Sequence, residues 1–110
     1  MTDRIQLVQG DTRPAIVCTL SDDATKEAID LTGAIVRLKF RAAGATTLTA
    51  TLVGTVIDAQ TGACAFYPAS APEMLQGEAG QYEGEIEITF ADGQIQTVFD
   101  VIKFKVREDF

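Results

Sequence analysis

Few residues of this chain could do chemistry. It contains no histidine, so the usual general base near neutral pH and the commonest metal ligand are both missing. Cys18 and Cys64 are its two cysteines. Both sit on alternating stretches beside Ile16, Leu20 and Phe66, where cysteine commonly acts as a small buried hydrophobe, and no basic neighbour in sequence would lower a thiol pKa. A bridge across two packed sheets, as in antibody domains, is the alternative; a cytosolic origin favours two free thiols. Two cysteines so far apart make no zinc site. Glu83 and Glu85 lie two apart on an exposed strand face, where both stay solvated and ionised, with nothing to raise one pKa for acid–base work. Asp22-Asp23 invites a calcium reading. It lacks the spaced Asp/Asn, Gly and terminal Glu of a dedicated loop, and such pairs commonly occupy turns. The expectation is a chain with no catalytic residue, no metal and no cofactor.

The elements that carry these residues read as strands. Over 82–90, Tyr82, Gly84, Ile86, Ile88 and Phe90 share one face, and Glu83, Glu85, Glu87 and Thr89 the other, the period-2 pattern of a half-buried strand. Asp92-Gly93 suits a two-residue type I′ turn, because Gly, and tolerably Asp, accept the positive φ it demands. That turn would pair Phe90 with Ile95, Ile88 with Thr97 and Ile86 with Phe99. Further on, Ile102, Phe104 and Val106 point inward and Lys103, Lys105 and Arg107 outward, so a β-bulge near Asp100-Val101 is expected to change the phase. Ahead of the hairpin, Glu78-Ala79-Gly80-Gln81-Tyr82 has the acidic-x-Gly-x-Tyr form of a tyrosine corner. In immunoglobulin-like sandwiches such a Tyr starts strand F and its hydroxyl bonds back to upstream backbone, which would make this hairpin F–G. The alternative is that Tyr82 is simply an inward aromatic.

The remainder supplies more short strands. Residues 5–8 and 15–20 are separated by a turn at Gly10–Pro14, 28–31 is a brief strand, and 35–41 alternates Val36, Leu38 and Phe40 inward against Arg37, Lys39 and Arg41. The basic stripe of 35–41, the acidic stripe of 82–90 and the basic stripe of 102–107 make sense together if strand F lies between C and G. Residues 47–52 alternate Leu48, Ala50 and Leu52 against threonines, and 55–58 with 63–67 form a second hairpin closed by Gly62. Ser70-Ala71-Pro72-Glu73 has capping-box spacing, which predicts a short helix over 71–76 with Met74 and Leu75 plugging the core.

A chain of 110 residues forms a single domain, 1–110, and buries enough surface to fold without metal or disulfide. Its net charge of −7 argues against nucleic acid as a partner, since such binding is driven by cationic contacts. The longest apolar stretch, 15–20, is far short of a membrane span, and the start lacks a signal-peptide core, so no membrane partner and synthesis in the cytoplasm are expected. The fold class is all-β: an immunoglobulin-like antiparallel sandwich of seven to nine strands with one short helix in the E–F crossing.

With the elements in order, Gly10-Asp11-Thr12, Asp30-Leu31-Thr32-Gly33-Ala34, Asp58-x-x-Thr61-Gly62, Gly80-x-Tyr82 and Phe90-Ala91-Asp92-Gly93 together resemble the immunoglobulin-like amino-terminal domain of phage baseplate upper proteins and related tail proteins. The resemblance runs over nearly the whole chain. It implies a non-catalytic structural role in a virion or prophage tail, with Gly80, Tyr82, Asp92 and Gly93 as structural residues. Family members usually continue into a trimerising stalk, whereas this chain stops at Phe110, so a free-standing adaptor, connector or decoration subunit is expected, as a homo-oligomer or on a multimeric platform of other tail or baseplate proteins. Ile5, Leu7 and Val8, on a strand partly uncoupled by Pro14, are the candidate partner contacts; the alternative is that they complete the chain's own sandwich. A small carbohydrate- or peptide-binding module is the other class of function, for which an exposed aromatic platform would be needed.

Overall fold

The computed structural model describes residues 5–22, 24–98 and 101–110. Among them nine strands form two sheets: β1 (Ile5–Val8), β2 (Ile16–Thr19), β3 (Ile35–Ala42), β4 (Ala50–Val53), β5 (Thr55–Asp58), β6 (Ala63–Phe66), β7 (Gly80–Thr89), β8 (Ile95–Thr97) and β9 (Ile102–Arg107). One sheet runs β1-β9-β7-β3-β4, with β8 also on β7, and the other runs β2-β6-β5. This is an immunoglobulin-like sandwich in which β2, β6 and β5 stand as strands B, E and D, and β3, β7 and β9 as C, F and G. One pair departs from the antiparallel expectation: β1 runs parallel to β9, with Leu7 opposite Val106.

Strand alternation explains the core. Val36, Leu38 and Phe40 of β3, Tyr82, Ile86 and Ile88 of β7, and Phe104 and Val106 of β9 are buried, and they join Ile16, Cys64 and Phe66 of the facing sheet in one cluster. Phe40 stacks on Tyr82 at 4.8 Å between centroids and 7° between planes, and meets Phe104 edge-on at 5.1 Å and 72°. Gly84 makes room for this group. A Cβ there would stand 2.8 Å from Leu38 Cδ1 and 2.9 Å from Phe104 Cε2.

The 90–94 turn differs from expectation. Phe90 N donates to Gln94 O (2.8 Å) and Gly93 N to Phe90 O (2.9 Å), so the loop is three residues, Ala91-Asp92-Gly93, with Gly93 at φ 89°. This is a type I turn closed by a glycine bulge rather than a two-residue I′ turn. Register moves by one: Thr89 faces Ile95, Ile88 faces Gln96 and Glu87 faces Thr97. Ile95 is therefore outside and 64% exposed, while Val98 packs against the core. Gln96, Val98, Ile102, Phe104 and Val106 all fall on the inward, even phase, so no change of face is needed near Asp100-Val101, but the register on β7 does shift there by two residues, from Ile88 opposite Gln96 to Gly84 opposite Ile102. The pairing foreseen for Phe99, and Asp100 itself, lie outside the described residues.

Three other expectations are corrected. Residues 28–31 form only a single bridge, Ser21 to Ala28, although Ile29 and Leu31 are buried through amide bonds to Leu20 O (3.0 Å) and Ala59 O (2.9 Å). β4 begins at Ala50, opposite Phe40; the reversal from β3 uses the residues before it, which leaves Leu48 exposed. In the crossing between the sheets, two 3-10 turns, Pro68–Ser70 and Pro72–Leu75, replace the single helix, and Ser70 Oγ donates back to Tyr67 O (2.7 Å) instead of capping. Pro72 is the reason. Its ring excludes the helical region for Ala71, which sits at φ −142° and ψ 76°. Met74 and Leu75 are buried as expected, and Leu75 O accepts from Gly10 N (2.8 Å), tying the crossing to the chain beyond β1.

Gly84→Ala is expected to destabilise the fold by about 1–3 kcal/mol through overpacking against Leu38 and Phe104. Urea unfolding of the two proteins measures this, and an unchanged midpoint would mean that Leu38 and Phe104 move aside at no cost.

Candidate functional site

Tyr82 enters the core as the third residue of β7 and aims its hydroxyl back along the chain, where Oη donates to Glu78 O at 2.6 Å. This is the geometry of a tyrosine corner. Gly80, at φ 145°, starts the strand two residues earlier. Burial, with the Glu78 carboxylate adding to it, pushes the Tyr82 hydroxyl above its usual range, so it stays protonated as a donor. Asp92 and Gly93 sit in the hairpin turn, where Asp92 Oδ1 accepts from Gln94 N (3.0 Å). These four residues shape backbone at opposite ends of one strand, and they converge on no common site.

The outer face of the larger sheet carries a charge ladder. β7 lies between β3 and β9, with Arg37, Lys39 and Arg41 opposite Glu87, Glu85 and Glu83, and Glu83 also opposite Lys103. Lys39 Nζ reaches diagonally to Glu87 Oε2 (2.8 Å), Arg41 Nη2 bonds Glu83 Oε1 (2.8 Å), and Arg37 Nη1 donates to Thr89 Oγ1 (3.4 Å). Such partly exposed pairs contribute about 0.2–1 kcal/mol each. They do more to fix which strands are neighbours than to hold the fold together.

The cysteines lie on adjacent strands of one sheet, not across the sandwich: Cys18 of β2 is directly opposite Cys64 of β6, and both are free thiols. Leu20 N donates to Gly62 O (2.9 Å), which marks that pair as hydrogen-bonded and gives Cys18 and Cys64, two residues along, the same phase. Such pairs hold their Cβ atoms about 5.5 Å apart, whereas a disulfide needs about 3.5–4.5 Å, so the register disfavours a bridge. Burial raises both thiols, with Cys18 adding to the effect at Cys64, which reaches about 11. Thiols held protonated in this way are poor nucleophiles.

Beside Cys18, between β2 and β8, a cleft of about 680 Å³ is lined by Leu20, Asp22, Ile86, Gln96 and Val98 among others. Asp22 is occupied by its own loop. Its Oδ1 accepts from Ala24 N (2.9 Å) and Thr25 N (3.1 Å), bonds that hold the carboxyl below its usual range. Asp23 lies outside the described residues, and among those described no three His, Cys, Asp or Glu side chains come together as a metal site. No described helix is long and apolar enough to cross a membrane.

Ile5, Leu7 and Val8 lie in the chain's own sheet. Leu7 is buried, Ile5 and Val8 are half-buried, and Gln9 N donates to Arg107 O (3.0 Å). What β1 offers a partner is its outer backbone edge, not Leu7. The sequence reading missed Val17, Ile57 and Tyr67, which are exposed on the smaller sheet or just beyond it. The signal was present: the outward positions of 16–19 and 63–67 carry no charge.

In comparison with known proteins, no family model matches this chain and no curated protein matches it.

Two outcomes are expected. Glu87→Lys removes the Lys39 pair and places like charges opposite Arg37, which costs about 1 kcal/mol or less, and Lys39→Glu in the same chain restores part of it in a double-mutant cycle. Additivity of the two changes would show that the pair does not interact. For the thiols, a raised folded pKa means that the native state keeps its proton where the unfolded chain loses it, so stability present below pH 9 falls as pH rises from about 9.0 toward 11. Cys64→Ala should make that alkaline loss shallower in melts across the range, and an identical slope would place the loss elsewhere.

Proposed function

We propose that this chain is a non-catalytic structural protein of a phage or prophage tail or baseplate, acting as an assembly, adaptor or decoration subunit. The observation that carries this reading is the open borders of both sheets. β1 and β4 end one sheet and β2 and β5 end the other, and each presents backbone donors and acceptors along a free side among the described residues. Such edges and the loops between them suit contacts with other proteins. The turn phrases that resemble the baseplate family keep their places: Gly33, Gly62 and Gly93 all have positive φ, and Tyr82 makes its upstream bond. The cleft beside β2 is the observation favouring a small binding module, but its described lining contains no aromatic side chain on which a sugar ring could stack.

The test is the particle. Tails or virions purified from the strain that carries this gene should contain the chain at a reproducible ratio to the tail proteins, as quantified by mass spectrometry. Its absence from intact particles, while present in the lysate, would overturn the proposal.

A further inference from the structure

The charge ladder of the larger sheet cancels over most of its length and leaves a remainder at one corner. Glu83 and Glu87 are taken up by Arg41 and Lys39 of β3. The last two cations of β9 have no acidic partner among the described residues. Lys105 stands between Gln6 of β1 and Gln81 of β7, and Arg107 stands beside Val8, past the point where β7 begins with Gly80 opposite Val106. The Arg107 guanidinium meets uncharged groups, donating to Glu108 O (2.8 Å) and lying over the Phe110 ring (4.9 Å). Glu108 and Asp109, next along the chain, form no ion pair with either cation. Lys105 and Arg107, both exposed, wall a groove of about 400 Å³ whose other lining is Gln6, Leu7 and Val8 of the edge strand β1. The backbone of that edge is open as well. Gln9 N donates to Arg107 O (3.0 Å), which in a parallel pair turns the odd residues of β1 to β9 and the amides of Gln6 and Val8 away from it. Asp11 N donates to Val8 O (3.2 Å), and the N–H groups of Gln6 and Val8 and the Gln6 carbonyl are left facing the open side of the sheet.

We infer that this corner binds an extended acidic segment of a partner protein, added to the sheet as a strand on β1, with carboxylates on its outer face reaching Lys105 and Arg107. The inference rests on the assembly role above and gives that role a partner chemistry. Two independent features select the occupant. Cations without acidic neighbours, in a chain of net charge −7, are complementary to carboxylates. Unpaired edge groups are complementary to a peptide backbone, not to a phosphate chain or a lipid head group. The other borders lack the first feature: β2 and β5 carry no cation, and beside β4 each cation of β3 faces a glutamate of β7. The negative charge of the whole chain does not decide the matter, because charges farther off than the ~8 Å Debye length at physiological salt are largely screened. A four-residue edge with two cations makes a small contact, so Kd is roughly high micromolar to millimolar.

Fluorescence anisotropy of a short labelled peptide alternating glutamate with valine, titrated with the full chain, tests this. Binding should saturate in low salt and weaken in high salt. Lys105→Gln and Arg107→Gln should each weaken it about two- to fivefold, the range that one exposed pair supplies. Lys105→Arg should preserve it, and Arg37→Gln, three strands away on β3, should leave it unaltered although it removes the same net charge. Two changes to the peptide carry the test whether or not a variant folds. Glutamine in place of glutamate should abolish saturable binding. Methylating one alternate set of peptide amides should abolish it with the charge intact, while methylating the other set should spare it, because only one set faces β1. Equal binding by the two methylated peptides would leave charge alone as the cause and overturn strand addition. A wild type that shows no saturable binding, or binding indifferent to both Lys105→Gln and Arg107→Gln, would overturn the inference. No peptide binding by a chain that is found in purified particles removes this docking mode and leaves the assembly role standing; peptide binding by a chain absent from particles does the reverse.

Discussion

The fold depends on β7 being held on both sides. It is paired with β3 along Ile35 to Ala42, with β8 and β9 on its other flank, and its inward face carries Tyr82, Gly84, Ile86 and Ile88. Phe40, Tyr82 and Phe104 come from three adjacent strands and pack as one aromatic group, which is possible because Gly84 leaves the space that Phe104 and Leu38 enter. The Tyr82 hydroxyl, anchored on Glu78 O, then fixes how the chain arrives from the crossing. A change at any of these positions reaches three strands at once.

Charge divides the surface as clearly as hydrophobicity divides inside from outside. Acidic β7 between basic β3 and basic β9 satisfies most of its own ladder, so the larger sheet is specified but presents little unbalanced field to a partner. The outer face of the smaller sheet carries exposed Val17 and Ile57, with Asp58 beside them opposite Ala63, and no alternating ladder of charge. Assembly by protein contact is consistent with that division, with the open edge strands offering a second, backbone-mediated route.

The cysteine pair shows how register governs chemistry. Cys18 and Cys64 are direct cross-strand neighbours, yet the hydrogen-bonded phase holds their Cβ atoms apart and burial keeps their protons on. They serve as small core residues. Asp22 is likewise committed, its carboxylate spent on the amides of its own loop.

Much of this was legible in the residues themselves. Alternation over 35–41 and 82–90 needs only the pleat, and the matching charge stripes named the strand order, because opposite charges on neighbouring strands are a local, pairwise preference. Tyr82 announced its corner through residues within four positions of it. The hairpin register was not legible, since Asp92-Gly93 suits either a two-residue or a three-residue loop and the local chemistry of the two is nearly the same. The core made the choice. A two-residue loop would have put Ile95 and Thr97 inside and forced a change of phase before Phe104, whereas the three-residue loop sends Val98 inward in the same even phase as Ile102, Phe104 and Val106, at the cost of a two-residue shift of register between β8 and β9. The same contrast explains β1, whose pairing with β9 joins residues at opposite ends of the chain, whereas in the crossing two local signals competed and the restriction Pro72 puts on Ala71 prevailed over capping-box spacing. Alternation, charge and turn chemistry act over a few residues and can be read from sequence; loop length, edge pairing and which apolar side chain enters the core are decided by packing between segments far apart in the chain.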